Sequence, residues 1–394
     1  MSTEKIRRRK DNVILSLWMI LLAAFFSFLF YRQAIMYNGE YLSDLPGLID
    51  RAVSGKDGSI LSIVIKMLMN ATDGFLYSVA LFEGFIAALT WMFTSLFIEK
   101  VLSCRRWEAM LCALMPMFLT SIRAIPMFRR LYAGSLVAQP WHNINYLAMR
   151  MFAVPAMYFF VELYRICREE KRISVKHALL NCAMAFLAAL MKAGFIMVFG
   201  ITLLIFLTAD CIRKEISMKN AVVMGLTVVP SVVLLFLQYH ILRTEDPEYH
   251  IIVGLSAFFF QESVRAFIMK FVTGLFLPAM ILWYNRKRLS RGMIFVNAGF
   301  AVGILEAMFL MESGDRLSSG SFLWGMQMFA FLVYMYLVPA FIKNVKEYWK
   351  ELQQKKPDLY HCAYFLAGAG LLAVHAAYGM RYYYYLMRGL NYYL

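Results

Sequence analysis

Residues 13–31 read VILSLWMILLAAFFSFLFY, a run of 19 residues without a charged side chain. An α-helix of that length is about 29 Å long at 1.5 Å per residue, which matches the ~30 Å hydrocarbon core of a bilayer. The basic segment MSTEKIRRRKDN precedes the run, and no cleavage site of small residues follows it. We therefore interpret the run as a retained first transmembrane helix.

Ten further apolar runs follow, and together they predict an all-α, polytopic membrane protein of about eleven transmembrane helices in a single domain, 1–394. Hydrophobic residues make up 61% of the chain, against roughly 45–50% in soluble proteins. This composition excludes collagen-like, disordered and disulfide-rich classes. We place the spans at about 13–31, 74–98, 108–122, 145–163, 177–191, 194–210, 221–240, 264–284, 292–311, 322–341 and 360–380.

Only Lys192 and Ala193 separate the fifth and sixth runs. This spacing is typical of a tight hairpin or of two helices that stop short of one face. The alternative is one long kinked helix, which would change the count of spans by one.

The formal net charge of +15 is distributed unevenly along the chain. If the N-terminus is cytoplasmic, roughly twice as many Lys and Arg residues lie in inner as in outer segments, as the positive-inside rule requires. The sequence therefore predicts a multi-pass protein of the cell membrane with a cytoplasmic N-terminus and an external C-terminus. The basic residues determine the orientation of the chain in the membrane and contact anionic membrane lipids. Nucleic acid is not an expected partner.

The first outer loop, 32–73, contains two amphipathic stretches separated by a Gly-Lys-Asp-Gly turn, and we expect two short helices on the outer surface. Asp44 directly precedes the first of them. It is either a helix cap or a carboxylate that acts as general base toward a sugar hydroxyl. Glu40 and Asp50 are the rival candidates for the base.

A second outer segment, 123–144, is expected to be re-entrant-like and leads into the fourth span. His142 and Arg150 are eight residues apart, so they share one helix face. An unpaired charge as deep as Arg150 costs several kcal/mol. Arg150 therefore needs a carboxylate, for which Glu83 and Glu306 are candidates, or an anionic ligand such as a lipid phosphate.

Two more outer positions carry candidate phosphate ligands. Lys192, between the fifth and sixth spans, either snorkels to the interface or acts as a point charge for phosphate. The polar outer loop 312–321 contains Glu312 and Arg316. Arg316 either pairs with Glu312 or binds phosphate.

Four short motifs carry a resemblance to a known family. They are Ser43-Asp44-Leu45-Pro46 after the first span, the Trp141-His142-Asn143 turn, the Lys192-Ala193-Gly194 hairpin, and Glu312-x-Gly314-x-Arg316 with Gly320-Ser321-Phe322-x-Trp324-Gly325. In layout the chain resembles the C-type (GT-C fold) integral-membrane glycosyltransferases and the uncharacterised bacterial multi-pass membrane proteins related to them.

The resemblance implies a membrane glycosyltransferase in cell-surface glycan assembly. Its partners would be a polyprenyl-phosphate-linked sugar donor, taken up from the outer side, and a glycan or lipid-linked acceptor. Asp44, or Glu40, would deprotonate the acceptor. The substrate- and phosphate-binding residues would be His142, Arg150, Lys192, Glu312 and Arg316. Some members bind a divalent metal, so a metal stays open and no cofactor is assigned.

Three alternatives remain at this point. A polysaccharide polymerase or ligase would use similar chemistry but would favour a large basic late loop. A multi-pass transporter or lipid-linked sugar flippase would use Glu83, Glu306 and the helix break near Pro230. The acidic pair that many family members show is not clear here, because Glu40 and Asp44 are four residues apart, so a catalytically inactive member is the third alternative.

Overall fold

The structure, a computed structural model, describes residues 3–35, 43–55, 59–120, 141–256, 264–317, 320–353 and 358–388. In these ranges the chain forms fourteen α-helices, two short strands and one 3₁₀ turn. The helices are α1 (Thr3–Ile35), α2 (Asp44–Ser54), α3 (Ile60–Ala71), α4 (Leu76–Val101), α5 (Arg106–Phe118), α6 (Ile144–Glu169), α7 (Val175–Met191), α8 (Gly194–Ile212), α9 (Met218–Leu226), α10 (Val229–Glu245), α11 (Val264–Asn285), α12 (Arg291–Phe309), α13 (Leu323–Leu352) and α14 (Leu359–Arg388).

All eleven predicted runs are helical, but the count of eleven spans is not confirmed. Seven helices are long and apolar enough to cross a membrane, or eight if the bent pair α9–α10 forms one span. Helices α5 and α7 have 13 and 17 residues, and a span needs about 20. The protein is nevertheless all-α and multi-pass, as expected.

The hairpin interpretation of 177–210 is confirmed. The backbone of Lys192 is extended between α7 and α8. At one end Lys192 contacts Asn143, before α6, and at the other end Asp210 of α8 contacts Tyr164 of α6. The His177 ring near the start of α7 lies 6.3 Å from that of Phe159 in the second half of α6, so α7 and α8 run in opposite directions.

Helix α13 is the centre of the bundle and is buried along most of its apolar length. Glycines let its neighbours approach closely, as small residues do between membrane helices. A Cβ added to Gly299 of α12 would overlap the Phe329 ring, and one added to Gly325 would lie 2.5 Å from the Gly194 carbonyl oxygen. The start of α13 is therefore locked against the start of α8.

The first outer loop forms the two expected amphipathic helices. Helix α2 buries Leu45, Leu48 and Ile49 and leaves its polar face exposed. Serines cap both helices: Ser43 accepts from Leu45 N–H, and Ser59 accepts from Ser62 N–H.

The loops before α11 and α13 are joined by a two-stranded ladder. Strand β1 (Ile251–Val253) pairs antiparallel with β2 (Leu310–Glu312), with Ile251 opposite Glu312. The segment that follows α10 is thereby held beside the polar loop that precedes α13.

Helices α9 and α10 meet at an angle of 41°. The bend is pinned from α7, because Asn181 Nδ2 donates to Thr227 Oγ1 at 2.8 Å. Pro230 lies in the first turn of α10, a position that proline tolerates because the helix has no partner for that N–H.

Candidate functional site

Asp44 is the first residue of helix α2, and contacts with α1 and with the turn before α6 fix its position. The cap of α2 is Ser43, not Asp44, and the Ser43 hydroxyl also donates to Gln33 Oε1 of α1 at 2.8 Å. The Asp44 N–H donates to the His142 carbonyl at 3.0 Å. The carboxylate is thus not needed to cap the helix, and its side chain lies at the exposed surface.

Asn143 joins Asp44 to Lys192. Its Nδ2 donates to Asp44 Oδ2 at 2.5 Å, and its Oδ1 accepts from Lys192 Nζ at 3.1 Å. The same Oδ1 accepts from Tyr146 N–H and so caps α6. One buried amide therefore holds a carboxylate and an ammonium from distant parts of the sequence in one cluster.

Lys192 carries a positive charge without a salt bridge to any carboxylate in the described part of the chain. Its Nζ lies 4.0 Å from the centroid of the Trp324 ring, a cation–π contact. The close approach of α8 and α13 brings the two residues together. Burial lowers the pKa of Lys192 to about 8, and the negative charges of Asp44 and Glu312 oppose this shift.

His142 is half-buried beside the same tryptophan. The His142 and Trp324 ring centroids are 6.1 Å apart, and His142 Nδ1 lies 3.5 Å from the Tyr382 hydroxyl. Burial lowers the pKa of His142 to about 4, with Asp44 acting in the opposite direction and Lys192 in the same one. The imidazole is therefore neutral near pH 7.

Glu312 faces the Lys192 side of the cluster from strand β2. Its carboxylate accepts from the Tyr249 hydroxyl at 2.8 Å and from Ser321. Arg316 does not form a salt bridge with Glu312. Its guanidinium instead lies 5.4 Å from the centroid of the Tyr249 ring and is exposed.

A cavity of about 590 Å³ opens next to this cluster. Lys192, Glu312, Ser321 and Trp324 line its polar end, and apolar residues of α8 and α10 line the rest. A second cavity of about 550 Å³ continues between α8, α9 and α10, and shares Gly200, Val232 and Phe236 with the first. Together they form a groove, the α8–α10 groove, with a polar mouth and a long apolar floor.

The structure places Arg150 beneath the cluster rather than in the α8–α10 groove. It is fully buried, and its guanidinium carbon lies 4.8 Å from the Phe331 ring centroid and 5.2 Å from that of Trp141. Among the described residues no salt bridge joins it to Glu83 or Glu306, so the expected carboxylate partners are wrong. Arg150 supports the turn that presents His142 and Asn143.

Several sequence-predicted features lie outside the described residues: Glu40, most of the segment 123–144, and Ser318 and Ser319 of the polar loop. The described residues offer no group of three or more His, Cys, Asp or Glu side chains that could hold a metal ion. The described residues therefore provide no ligand set for a divalent metal.

Comparison with known proteins finds solved structures of similar fold. The chain is similar to ArnT from Cupriavidus metallidurans, whose crystal structure contains undecaprenyl phosphate, with 12% sequence identity and a TM-score of 0.47. The match covers 94% of this chain and 76% of that one. No family model matches the sequence, and no curated protein matches it significantly.

This likeness is one of overall layout. At such low identity and TM-score it assigns no residue a role. The roles proposed below therefore rest on contacts within this chain.

Sequence reasoning missed the residues that connect the site. The sequence places Asn143 only in a turn and Trp324 only in a motif, and it indicates no role for either residue. Tyr249 carries no local signal, because β1–β2 pairing alone brings it to Glu312. An asparagine directly before a helix is a capping signal, and this signal marks Asn143.

Proposed function

We propose that the protein is a membrane glycosyltransferase that uses a polyprenyl-phosphate-linked sugar donor at the outer face of the membrane, in cell-surface glycan assembly. One observation carries the proposal. The uncompensated charge of Lys192 stands at the polar mouth of a long apolar groove, and one amide side chain separates it from the carboxylate of Asp44.

The groove and Lys192 suit a lipid phosphate. An isoprenoid chain is apolar and would lie on the floor formed by α8 and α10, while its phosphate would reach the ammonium of Lys192. A charged hydrogen bond of this kind is shorter and stronger than a neutral one. Glu312 and Ser321 line the same mouth and would contact hydroxyl groups of the sugar.

Asp44 suits the role of base. It lies on the other side of Asn143, at the exposed surface, where an acceptor arrives. In the proposed step an acceptor oxygen forms a bond to the sugar C1 atom, and its proton passes to the Asp44 carboxylate. The bond from C1 to the phosphate oxygen breaks, and Lys192 holds the charge that develops on the departing phosphate.

Binding and transfer test the proposal together. Purified protein in lipid nanodiscs is incubated with photoreactive undecaprenyl phosphate, and crosslinks are mapped by mass spectrometry. We expect crosslinks on α8 and α10, and we expect Gly200→Phe, which fills the groove, to remove them. An added Cβ at Gly200 meets only Val228, at 3.9 Å, so the backbone at this position has room for the start of a side chain. Crosslinks that spread evenly around the bundle would contradict the site.

Transfer distinguishes this function from that of a flippase. Incubation with undecaprenyl-phosphate sugars and membrane acceptors should give a glycosylated product that mass spectrometry detects. Movement of the labelled lipid across proteoliposomes without any new glycosidic bond would favour the transporter instead.

We also propose that the end of the bundle carrying Asp44 and Lys192 is external. Residues predicted to be outer meet at that end, and Arg168, Glu215 and Arg291, which are predicted to be inner, meet at the other. Cysteines introduced at exposed Ser54 and Lys176 test this. We expect an impermeant thiol reagent on intact cells to modify Ser54→Cys only, and the reverse pattern would invert the topology. The native Cys167 is fully buried, so it cannot report its side.

A further inference from the structure

A cavity of about 670 Å³ lies at the end of the bundle opposite Lys192, between the α4–α5 turn and the last turns of α13. We call it the basic cavity. Its inner wall is apolar and includes Cys112, Pro339 and Ile342. Its rim is charged and aromatic. This combination of an apolar wall and a polar rim belongs at the boundary between the membrane interior and water.

The rim is strongly basic. Four cations line it, Arg105, Lys343, Lys346 and Lys350, and Glu108 is its single lining carboxylate. Glu108 is bound to Lys346 at 2.5 Å and lies 3.9 Å from Arg105. Among the described residues Lys343 and Lys350 have no salt bridge. They are exposed and lie about 10 Å apart along α13, so the rim presents an excess of positive charge.

Two exposed tryptophans border the cavity. Trp107 is 52% exposed and Trp349 is 64% exposed. In a soluble protein two such indoles would be unfavourable, but at a membrane interface tryptophan lies at the level of the headgroups. The Lys346 ammonium lies 5.8 Å from the centroid of the Trp107 ring. The tryptophans therefore place the basic rim at headgroup depth.

We propose that the basic cavity is a binding site for an anionic phospholipid of the leaflet at this end of the bundle. The phosphate would lie between Lys343 and Lys350, and an acyl chain would lie against Pro339 and Ile342. The excess positive charge of the rim favours an anionic lipid, because a zwitterionic headgroup would leave that charge uncompensated. The cavity lies at the opposite end from Asp44 and Lys192, and the inference does not depend on the proposed transfer reaction.

Brominated lipids test the site, because bromine quenches tryptophan fluorescence only at close range. The protein is reconstituted in phosphatidylcholine nanodiscs that contain one tenth of either brominated phosphatidylglycerol or brominated phosphatidylcholine. We expect stronger quenching by the brominated phosphatidylglycerol. In Lys343→Gln/Lys350→Gln we expect roughly tenfold or greater loss of the preference for the anionic lipid. Each lysine near an anionic membrane surface contributes roughly fivefold to the affinity.

The matched control is Arg286→Gln/Lys287→Gln, which removes two charges from the same end of the bundle but from another cavity. It should keep the preference. In Trp107→Phe/Trp349→Phe the excess quenching should disappear, because the reporters are gone. Equal quenching by the two brominated lipids in the native protein would overturn the proposal. So would an excess that persists in Lys343→Gln/Lys350→Gln or in the tryptophan variant.

Discussion

Two clusters of charged residues lie at opposite ends of the bundle, and they are compensated differently. We call them the inner and the outer cluster after the proposed topology. At the inner cluster the Asp210 carboxylate accepts from the Tyr164 hydroxyl at 2.6 Å and lies 3.6 Å from Arg291. Glu215 binds Arg291 and, at 3.0 Å, Arg168. At the outer cluster Lys192 contacts an amide oxygen and an indole ring.

This difference separates a structural cluster from a candidate site. In the inner cluster opposite charges on α6, α8 and α12 neutralise one another, and no ligand is required. In the outer cluster a desolvated ammonium retains its charge beside a groove. Such an arrangement is costly in the free protein, and an anionic ligand would remove the cost.

The largest expected effect is on catalysis. Asp44→Asn keeps the size of the side chain but removes the base, so we expect the rate of sugar transfer to fall by about 10²–10⁴-fold. Accumulation in the membrane should stay normal, because Ser43 and not Asp44 caps α2. The rate is measured with a saturating undecaprenyl-phosphate sugar.

Asp50, on the same helix, is exposed and is a rival candidate for the base. If Asp44 is the base, Asp50→Asn should retain normal transfer. If Asp44→Asn retains normal transfer, the base is elsewhere, and Glu40 and Asp50 become the candidates.

Lys192→Met should weaken binding of undecaprenyl phosphate by about 30-fold or more, because a desolvated, hydrogen-bonded charge is worth about 2 kcal/mol or more. Photocrosslinking as a function of lipid concentration measures this. Lys219→Met removes one exposed charge from the inner end of α9 and should leave the affinity unchanged. Equal loss in both variants would mean that overall charge, rather than this site, determines binding.

A substitution in the inner cluster should lower the stability of the protein without changing its affinity for the lipid. Asp210→Asn weakens the charged contact to Arg291, and we expect the free energy of unfolding to fall by about 1.5–3 kcal/mol. Thermal unfolding in detergent measures the change. Affinity for undecaprenyl phosphate should remain within a factor of about two of the native value. A large loss of affinity would show that the two ends are coupled.

The affinity for the lipid phosphate should depend on pH. The pKa of Lys192 in the free protein is about 8, and an anionic ligand favours its charged form. Affinity should therefore change little from pH 7 to 8, where the lipid phosphate is already ionised, and fall by about tenfold per pH unit above pH 8. His142, with a pKa of about 4, stays neutral throughout. In Lys192→Arg the dependence should vanish between pH 7 and 9.5, because arginine remains charged.

The smallest effect is expected at Ser43. Ser43→Ala removes the cap of α2 and the hydrogen bond to Gln33, and we expect a loss of about 0.5–2 kcal/mol in stability. Transfer should fall less than in Asp44→Asn, since the carboxylate is still held by Asn143. Limited proteolysis of the first outer loop measures the loosening. A loss of transfer as severe as that of Asp44→Asn would show that the α2 cap controls the base.

The apolar runs allowed the helices to be predicted from sequence with small errors at their ends, because an 18- to 20-residue apolar segment has few alternatives in a membrane. The number of spans was less predictable. Helices α5 and α7 are apolar but short, and α9 and α10 divide one run at a bend. Only packing against neighbouring helices decides whether such segments cross, and hydropathy does not contain that information.

The sequence by itself determined the fold class, the apolar segments and the residue types that an outer site would use, Asp44, His142, Lys192 and Glu312 among them. Tertiary structure alone decided which of them meet. Asn143 connects Asp44 to Lys192 because α2, α6 and α8 begin at the same end of the bundle, and Gly194 and Gly325 bring Trp324 beneath the ammonium. It also placed Arg150 among aromatic rings rather than in the α8–α10 groove. The contacts of this cluster join residues up to 240 positions apart in the numbering, from His142 to Tyr382, and no local pattern encodes them.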